Sequence, residues 1–212
     1  IRGGKWRLRR LVEAFRDVCR AVAYAHSRGV IHRDLKPANI MFRDELTPVL
    51  IDFGIAKQQD ATQTRLTQTG MLVGTPTYMS PEQINALEVD GRSDLYSLGT
   101  VLYELLVGTP PYQAGDPFTV ALMHVTHPVP ELPEPYQWLQ PLVSGLMAKQ
   151  ADQRYKTGAA FVEALHKLLA TAPQGAVLQE TSTRKSGSGS RIASGAATQQ
   201  RTRISMDQRQ GR

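Results

Sequence analysis

The sequence has a single cysteine in 212 residues, Cys19, which excludes an intramolecular disulfide framework and a cysteine-rich zinc module. Cys19 falls on an apolar helical stripe, so a buried core thiol is expected. Long apolar runs are lacking as well. The longest nearly charge-free stretch, Leu95–Tyr103, extends past Glu104 only to Val107, whereas a membrane-spanning helix takes about 20 apolar residues. No charged-then-apolar secretory leader opens the chain, and a cytoplasmic setting is expected. Acidic residues are scarce at both ends. Residues 172–212 hold seven Lys/Arg and two Asp/Glu, and residues 1–10 hold five basic groups and no acid. With a net charge of +6, residues 11–171 are therefore at −4. The pI of 9.6 describes the ends, not the body. Nucleic-acid binding, which clusters positive charge on a folded face, is not expected. What is present, 41% hydrophobic and 21% charged residues, suits one globular domain with a core and a tail. The chain starts at Ile1 among basic residues and runs straight into a helix, as a piece cut from something longer would.

Leu8, Leu11, Val12, Phe15, Val18, Cys19, Val22 and Ala25 recur at spacings of three and four, which predicts an amphipathic helix ended by Gly29. Val30-Ile31, Asn39–Phe42 and Val49-Leu50-Ile51 read as short strands around a charged loop. Such strand ends are where functional side chains gather. Residues 57–79 are rich in Thr and Gln and lack periodicity, which implies a functional or mobile loop. Leu95–Val107, apolar nearly all round, predicts a buried central helix stopped by Gly108 and Pro110-Pro111. Residues 117–126, 137–149 and 157–171 predict three more helices. His124 and His127 have no carboxylate or thiol beside them, so a surface pair is expected and not a metal site. After Pro173, Ser, Thr, Gly, Gln and Arg dominate. Such a segment buries too little apolar area to offset its ordering entropy, and a disordered basic tail or linker is expected over 172–212.

Three short motifs occur in order. His32-Arg33-Asp34-Leu35-Lys36-Pro37-Ala38-Asn39 matches H-R-D-L-x-x-x-N position by position, Asp52-Phe53-Gly54 follows, and Ser80-Pro81-Glu82, a Ser-for-Ala variant of A-P-E, stands further on. Asp-Phe-Gly alone would be a turn and His-Arg-Asp alone a solvated loop. In this order, with short strands either side, the set is the protein-kinase signature. Residues 1–171 thus resemble the C-terminal lobe of a Hanks-type Ser/Thr protein kinase, most similar to bacterial members. The implied fold is α+β and protein-kinase-like: a mainly helical C-terminal lobe with short β-strands, the N-terminal lobe being absent.

The resemblance implies ATP and Mg2+ as cofactors and protein hydroxyls as substrates. Asp34 would be the catalytic base and Lys36 would place its ammonium on the γ-phosphate. Asn39 and Asp52 would offer hard oxygen ligands to Mg2+. Met41 would floor the adenine pocket, and Thr75 would hydrogen-bond Asp34 and Lys36. Arg33 would dock a phosphorylated activation loop, with Thr67 or Thr69 of Leu66-Thr67-Gln68-Thr69 carrying the phosphate. His32, Glu82, Asp94 and Arg154 take structural roles, Glu82 with Arg154 as a buried ion pair and Asp94 beneath the catalytic loop. A helix N-cap is the plainer role for Asp94.

No G-x-G-x-x-G precedes the loop, and no Val-Ala-Ile-Lys strand is present within 1–212. The N-terminal lobe is therefore expected upstream of Ile1, and this piece alone should barely catalyse. A pseudokinase or scaffold, and an interaction module with a basic tail, are the rival classes. Bacterial relatives include membrane-anchored kinases, so the parent's location is more open than its chemistry.

Overall fold

A computed structural model describes residues 8–44, 47–53 and 76–171. The predicted activation-loop residues Thr67 and Thr69, Thr75, and the tail all lie outside them. The first helix, α1 (Leu8–Ser27), buries its apolar stripe, and Cys19 is fully enclosed within it. Burial pushes that thiol well up, consistent with an inert core group. Gly29 closes α1 at φ 75, with Gly29 N donating to His26 O and Val30 N to Ala25 O, each at 3.0 Å. This is a Schellman-type stop, in which a residue free to take positive φ turns the chain back on the last carbonyls.

Val30-Ile31 is not a strand. The Val30 amide is taken by the end of α1, and beyond Ile31 the amides of His32 and Arg33 are held by the Asp94 side chain. A 3-10 turn at Pro37–Asn39 leads into β1 (Ile40–Phe42), which pairs antiparallel with β2 (Pro48–Leu50) in the register Ile40↔Leu50, Met41↔Val49, Phe42↔Pro48. After a short α2 (Pro81–Ile84) comes the central helix, α3 (Gly91–Val107), buried along most of its length. It starts four residues before Leu95, because Asp90 caps it by accepting from Arg92 N at 2.8 Å. Helices α4 (Pro117–Thr126), α5 (Gln140–Leu146) and α6 (Gly158–Ala170) complete the lobe. The expected mainly helical lobe with short strands is what the described residues form. Among them no helix is long and apolar enough to cross a membrane.

The predicted helix over 137–149 is cut at both ends. Glu134–Leu139 forms a 3-10 turn, and the α-helix starts only where Pro141 can sit in its first turn. Beyond Met147, the Ala148 and Lys149 carbonyls accept hydrogen bonds from Arg154. The core lies between α1, α3, α5 and α6, with Phe15 and Phe161 edge-to-face at 6.0 Å. Glycine at 99 permits close approach of α3 and α5, since a Cβ there would come within 2.6 Å of Met147 Cγ.

The expected surface pair of histidines is overturned for His124. Val120, Ala121 and His124 share the buried stripe of α4, while His127 is exposed. His124 Nδ1 lies 3.0 Å from the Tyr96 hydroxyl, and its ring meets Tyr112 edge-on at 4.8 Å. Lys149 Nζ donates to the His124 carbonyl at 2.8 Å and to the Tyr112 hydroxyl at 2.9 Å. Burial, then the Lys149 ammonium, pull the imidazole from 6.5 to about 4, against a smaller opposing contribution from the Thr77 backbone. Below its ordinary value the unfolded chain therefore binds a proton that the fold refuses. The contribution of His124 is complete above pH 6.5 and should fall by on the order of 3 kcal/mol as pH drops to about 4. Urea titrations across that range should show the slope in the native chain and lose it in His124→Gln. An equal slope in both would remove His124 as its source.

Candidate active site

Asp94 organises the loop at 30–39. It stands in the first turn of α3, where the helix dipole favours a carboxylate, and it is 1% exposed. Its Oδ2 accepts from His32 N and its Oδ1 from Arg33 N, each at 2.8 Å, and His26 Nε2 lies 2.7 Å from Oδ2. Asp94 is thus not the N-cap of α3; that place belongs to Asp90. Arg33 sits at φ 64, in the left-handed region. A non-glycine residue there costs on the order of 1–3 kcal/mol and persists only when its surroundings impose it. The loop thereby turns sharply just before Asp34.

Beyond that turn, three polar side chains converge. Lys36 Nζ donates to Asp34 Oδ2 at 2.9 Å. The 3-10 turn brings the buried Asn39 back, so that its Nδ2 donates to the Asp34 carbonyl at 2.9 Å and approaches Asp34 Oδ2 at 3.4 Å. With the nitrogen so engaged, Oδ1 is the atom Asn39 can offer a cation. Asp52 reaches the same region from the end of β2. Ile51 N donates to the Asn39 carbonyl at 3.0 Å, extending the hairpin to the residue before Asp52. Asp52 itself adopts φ 55 and is exposed. His32 ties the two loops together: its Nε2 lies 3.0 Å from Ile51 O, and its ring is tilted against Phe53 at 4.7 Å. On β1, Ile40 points into the core at 7% exposure, while Met41 on the opposite face is 53% exposed.

Among the described residues no group of three His, Cys, Asp or Glu gathers as a metal centre. Asn39 and Asp52, joined through the Ile51 amide and the Asn39 carbonyl, are instead two residues that could each offer a hard oxygen donor. Such a pair suits a hydrated Mg2+ that completes its shell with water and phosphate, and does not suit a closed all-protein cage.

Arg33 Nε is buried without a hydrogen-bond partner among the described residues. The Glu82–Arg154 pair is the opposite case. Arg154 donates to Glu82 Oε1 at 2.7 Å, Glu82 Oε2 at 2.8 Å, Ala148 O at 2.7 Å, Arg92 O at 2.9 Å and Lys149 O at 3.1 Å. All five guanidinium N–H groups are thereby used, and Ser93 Oγ adds a further hydrogen bond to Glu82 Oε1. Burial pushes the Glu82 carboxyl up, but the Arg154 and Ser93 hydrogen bonds outweigh it, and the net shift is downward.

Two residues at the site went unread in the sequence. His26, beneath Asp94, carries no local signal. Gln83 does: Ser80-Pro81-Glu82-Gln83 is a legible capping box, and its hydroxyl and carboxamide close reciprocally. What that pattern does not reveal is that Gln83 Nε2 also donates to the Arg33 carbonyl at 2.8 Å.

The protein kinase domain pattern matches residues 3–167. The serine/threonine-protein kinase PknB of Mycolicibacterium smegmatis is 44% identical over 159 residues, covering 71% of this chain and 25% of that protein. PknB of Mycobacterium tuberculosis is 41% identical over 155 residues, covering 71% and 25%. The DNA damage-responsive serine/threonine-protein kinase RqkA of Deinococcus radiodurans is 40% identical over 161 residues, covering 72% and 23%. The chain thus spans about a quarter of the length of these relatives. A family pattern that runs across most of the chain, over a loop and hairpin arranged in this way, makes it a member of the protein kinase family, of the bacterial Hanks type that includes serine/threonine kinases.

Proposed function

We propose that this chain supplies the phosphoryl-transfer residues of a Ser/Thr protein kinase acting on protein hydroxyls. The observation that carries the reading is the convergence of Asp34, Lys36 and Asn39 beside the strand-end Asp52. Asp34 orients a substrate hydroxyl and accepts its proton. Lys36, tethered to Asp34, holds a positive charge where charge builds on the transferring group. Asn39 and Asp52 would hold Mg2+, and Met41 would meet the base of ATP from its exposed position on β1. Bound Mg-ATP supplies the phosphoryl group and neutralises its charge. The cover of the nucleotide, with its glycine loop and lysine, would come from residues outside 1–212, and 172–212 would serve as a tail or linker. In the full-length protein, labelled ATP with Mg2+ should transfer its terminal phosphate to Ser or Thr of a protein substrate. Transfer to neither would overturn the reading.

Regulation follows from Arg33. A guanidinium with a buried, unpartnered Nε among the described residues suits a bidentate phosphate. Phosphate on Thr67 or Thr69, carrying about −1.5 to −2 charges, would pair with Arg33 and bring Thr75 beside Asp34. Thr67→Ala combined with Thr69→Ala should lower turnover far more than nucleotide affinity, and mass spectrometry of active kinase should find phosphate on one of the two. Full activity of the double variant without phosphate between Thr62 and Thr69 would leave Arg33 with no regulatory part.

A further inference from the structure

We propose that Gln83 is a positioning residue for Asp34, acting through the Arg33 backbone; the inference rests on the catalytic reading of Asp34 above. Two peptide units flank the Arg33 α-carbon, and each is held by a different side chain. The N–H on the incoming side donates to Asp94 Oδ1 at 2.8 Å, and the carbonyl on the outgoing side accepts from Gln83 Nε2 at 2.8 Å. Held at both ends, Arg33 keeps its φ of 64. The outgoing peptide is the one that leads into Asp34, so its tilt sets where the Asp34 carboxylate stands against Lys36 and Asn39.

Gln83 is itself immobilised. Its Oε1 accepts from Ser80 N at 3.0 Å and from Ser80 Oγ at 3.2 Å. Those donors fix which end of the carboxamide faces Ser80 and turn the Nε2 end toward Arg33. The turn that carries it is anchored one residue earlier by the Glu82–Arg154 pair. A rigid path therefore runs from Arg154 through α2 to the residue before Asp34, across 50 positions of sequence between Gln83 and Arg33.

Helix capping alone would explain the Ser80 contacts but not the Arg33 contact, and Gln83→Glu separates the two. Glutamate at the third helical position makes the same capping box, so the start of α2 is preserved. When ionised, it has no proton to donate to the Arg33 carbonyl and sets an acceptor against an acceptor. In the full-length kinase, Gln83→Glu should lower kcat by roughly tenfold to a hundredfold, the cost of misplacing a reacting group. KM for ATP should stay near that of the unaltered protein, and any fall in the thermal midpoint should be reversed, like the kcat deficit, as pH is lowered. The deficit should narrow as pH is lowered and the introduced carboxyl gains a proton to donate. In the 212-residue chain, the Arg33 carbonyl carbon resonance should move while the Ser80 amide resonance holds. Gln83→Ala, which removes both functions, should lower kcat and also the thermal midpoint.

An unmoved Arg33 carbonyl resonance in Gln83→Glu would overturn the contact. A moved resonance with unaltered kcat would overturn the positioning role. So would a kcat loss that follows the thermal midpoint and ignores pH. Absence of phosphoryl transfer in the unaltered kinase would strike the proposed function, while the resonance measurement would still decide the contact.

Discussion

Asp34→Asn in the full-length kinase should cut turnover about 10²- to 10⁴-fold, the range for losing a positioned general base. The substitution is nearly isosteric, and the Asn39 Nδ2 bond to the backbone carbonyl of residue 34 does not depend on the side chain, so the loop should keep its shape. What disappears is the carboxylate to which we assign the hydroxyl proton and that Lys36 Nζ meets at 2.9 Å. Nucleotide affinity should change little, because Asn39, Asp52 and Met41 remain. Single-turnover transfer from labelled ATP, set beside equilibrium nucleotide binding, separates the two quantities. Turnover near that of the unaltered enzyme would show that Asp34 is not the base.

Arg154→Met should destabilise the lobe by about 3–5 kcal/mol, the usual result of removing one partner of a buried ion pair. The loss is large because Glu82, only 9% exposed, would keep its charge without its guanidinium, and the carbonyls of Arg92, Ala148 and Lys149 would lose their donor at the same time. Urea unfolding with an unchanged slope against denaturant is the check. Acid adds a second reading. The folded Glu82 carboxyl lies below its ordinary 4.5, so the contribution of the pair is complete above about pH 4.5 and fades as pH falls through the lower folded value. That acid-dependent part should be missing in Arg154→Met, and replacing Glu82 by Gln as well should recover some of the lost stability. A shift below about 1 kcal/mol, the range of an exposed pair, would contradict the burial of Arg154.

The apolar pattern was enough for α1, α4 and α6, which carry it at helical spacing over ten residues or more, and for the body of the central helix, which is apolar nearly all round. It misplaced Val30-Ile31 because two β-branched residues look alike in a strand and in a helix-terminating turn. Here the Val30 amide bonds to Ala25 and belongs to the end of α1. Periodicity extended α5 by three residues at each end, since the pattern shows neither Pro141's need for a first-turn place nor the pull of Arg154 on the Ala148 and Lys149 carbonyls. His124 was misread because its burial depends on what covers α4, which is Tyr96, Tyr112 and Lys149 from other segments.

The order and spacing of His32–Asn39, Asp52–Gly54 and Ser80–Glu82 by themselves determined the family of this protein, because together they make up the protein-kinase signature. The resemblance implied the Glu82–Arg154 pair and Asp94 beneath the loop, but only the tertiary structure decided the parts of His26 and Gln83 in holding it. Asp94 meets Arg33 across 61 positions, His26 meets Asp94 across 68, Gln83 meets Arg33 across 50 and Arg154 meets Glu82 across 72. A hydrogen bond between groups distant in sequence is satisfied wherever the fold brings donor and acceptor together. The bonds from His26 to Asp94 and from Gln83 to Arg33 leave no period in the residues between their ends, so they become visible only once the helices that carry those ends have packed.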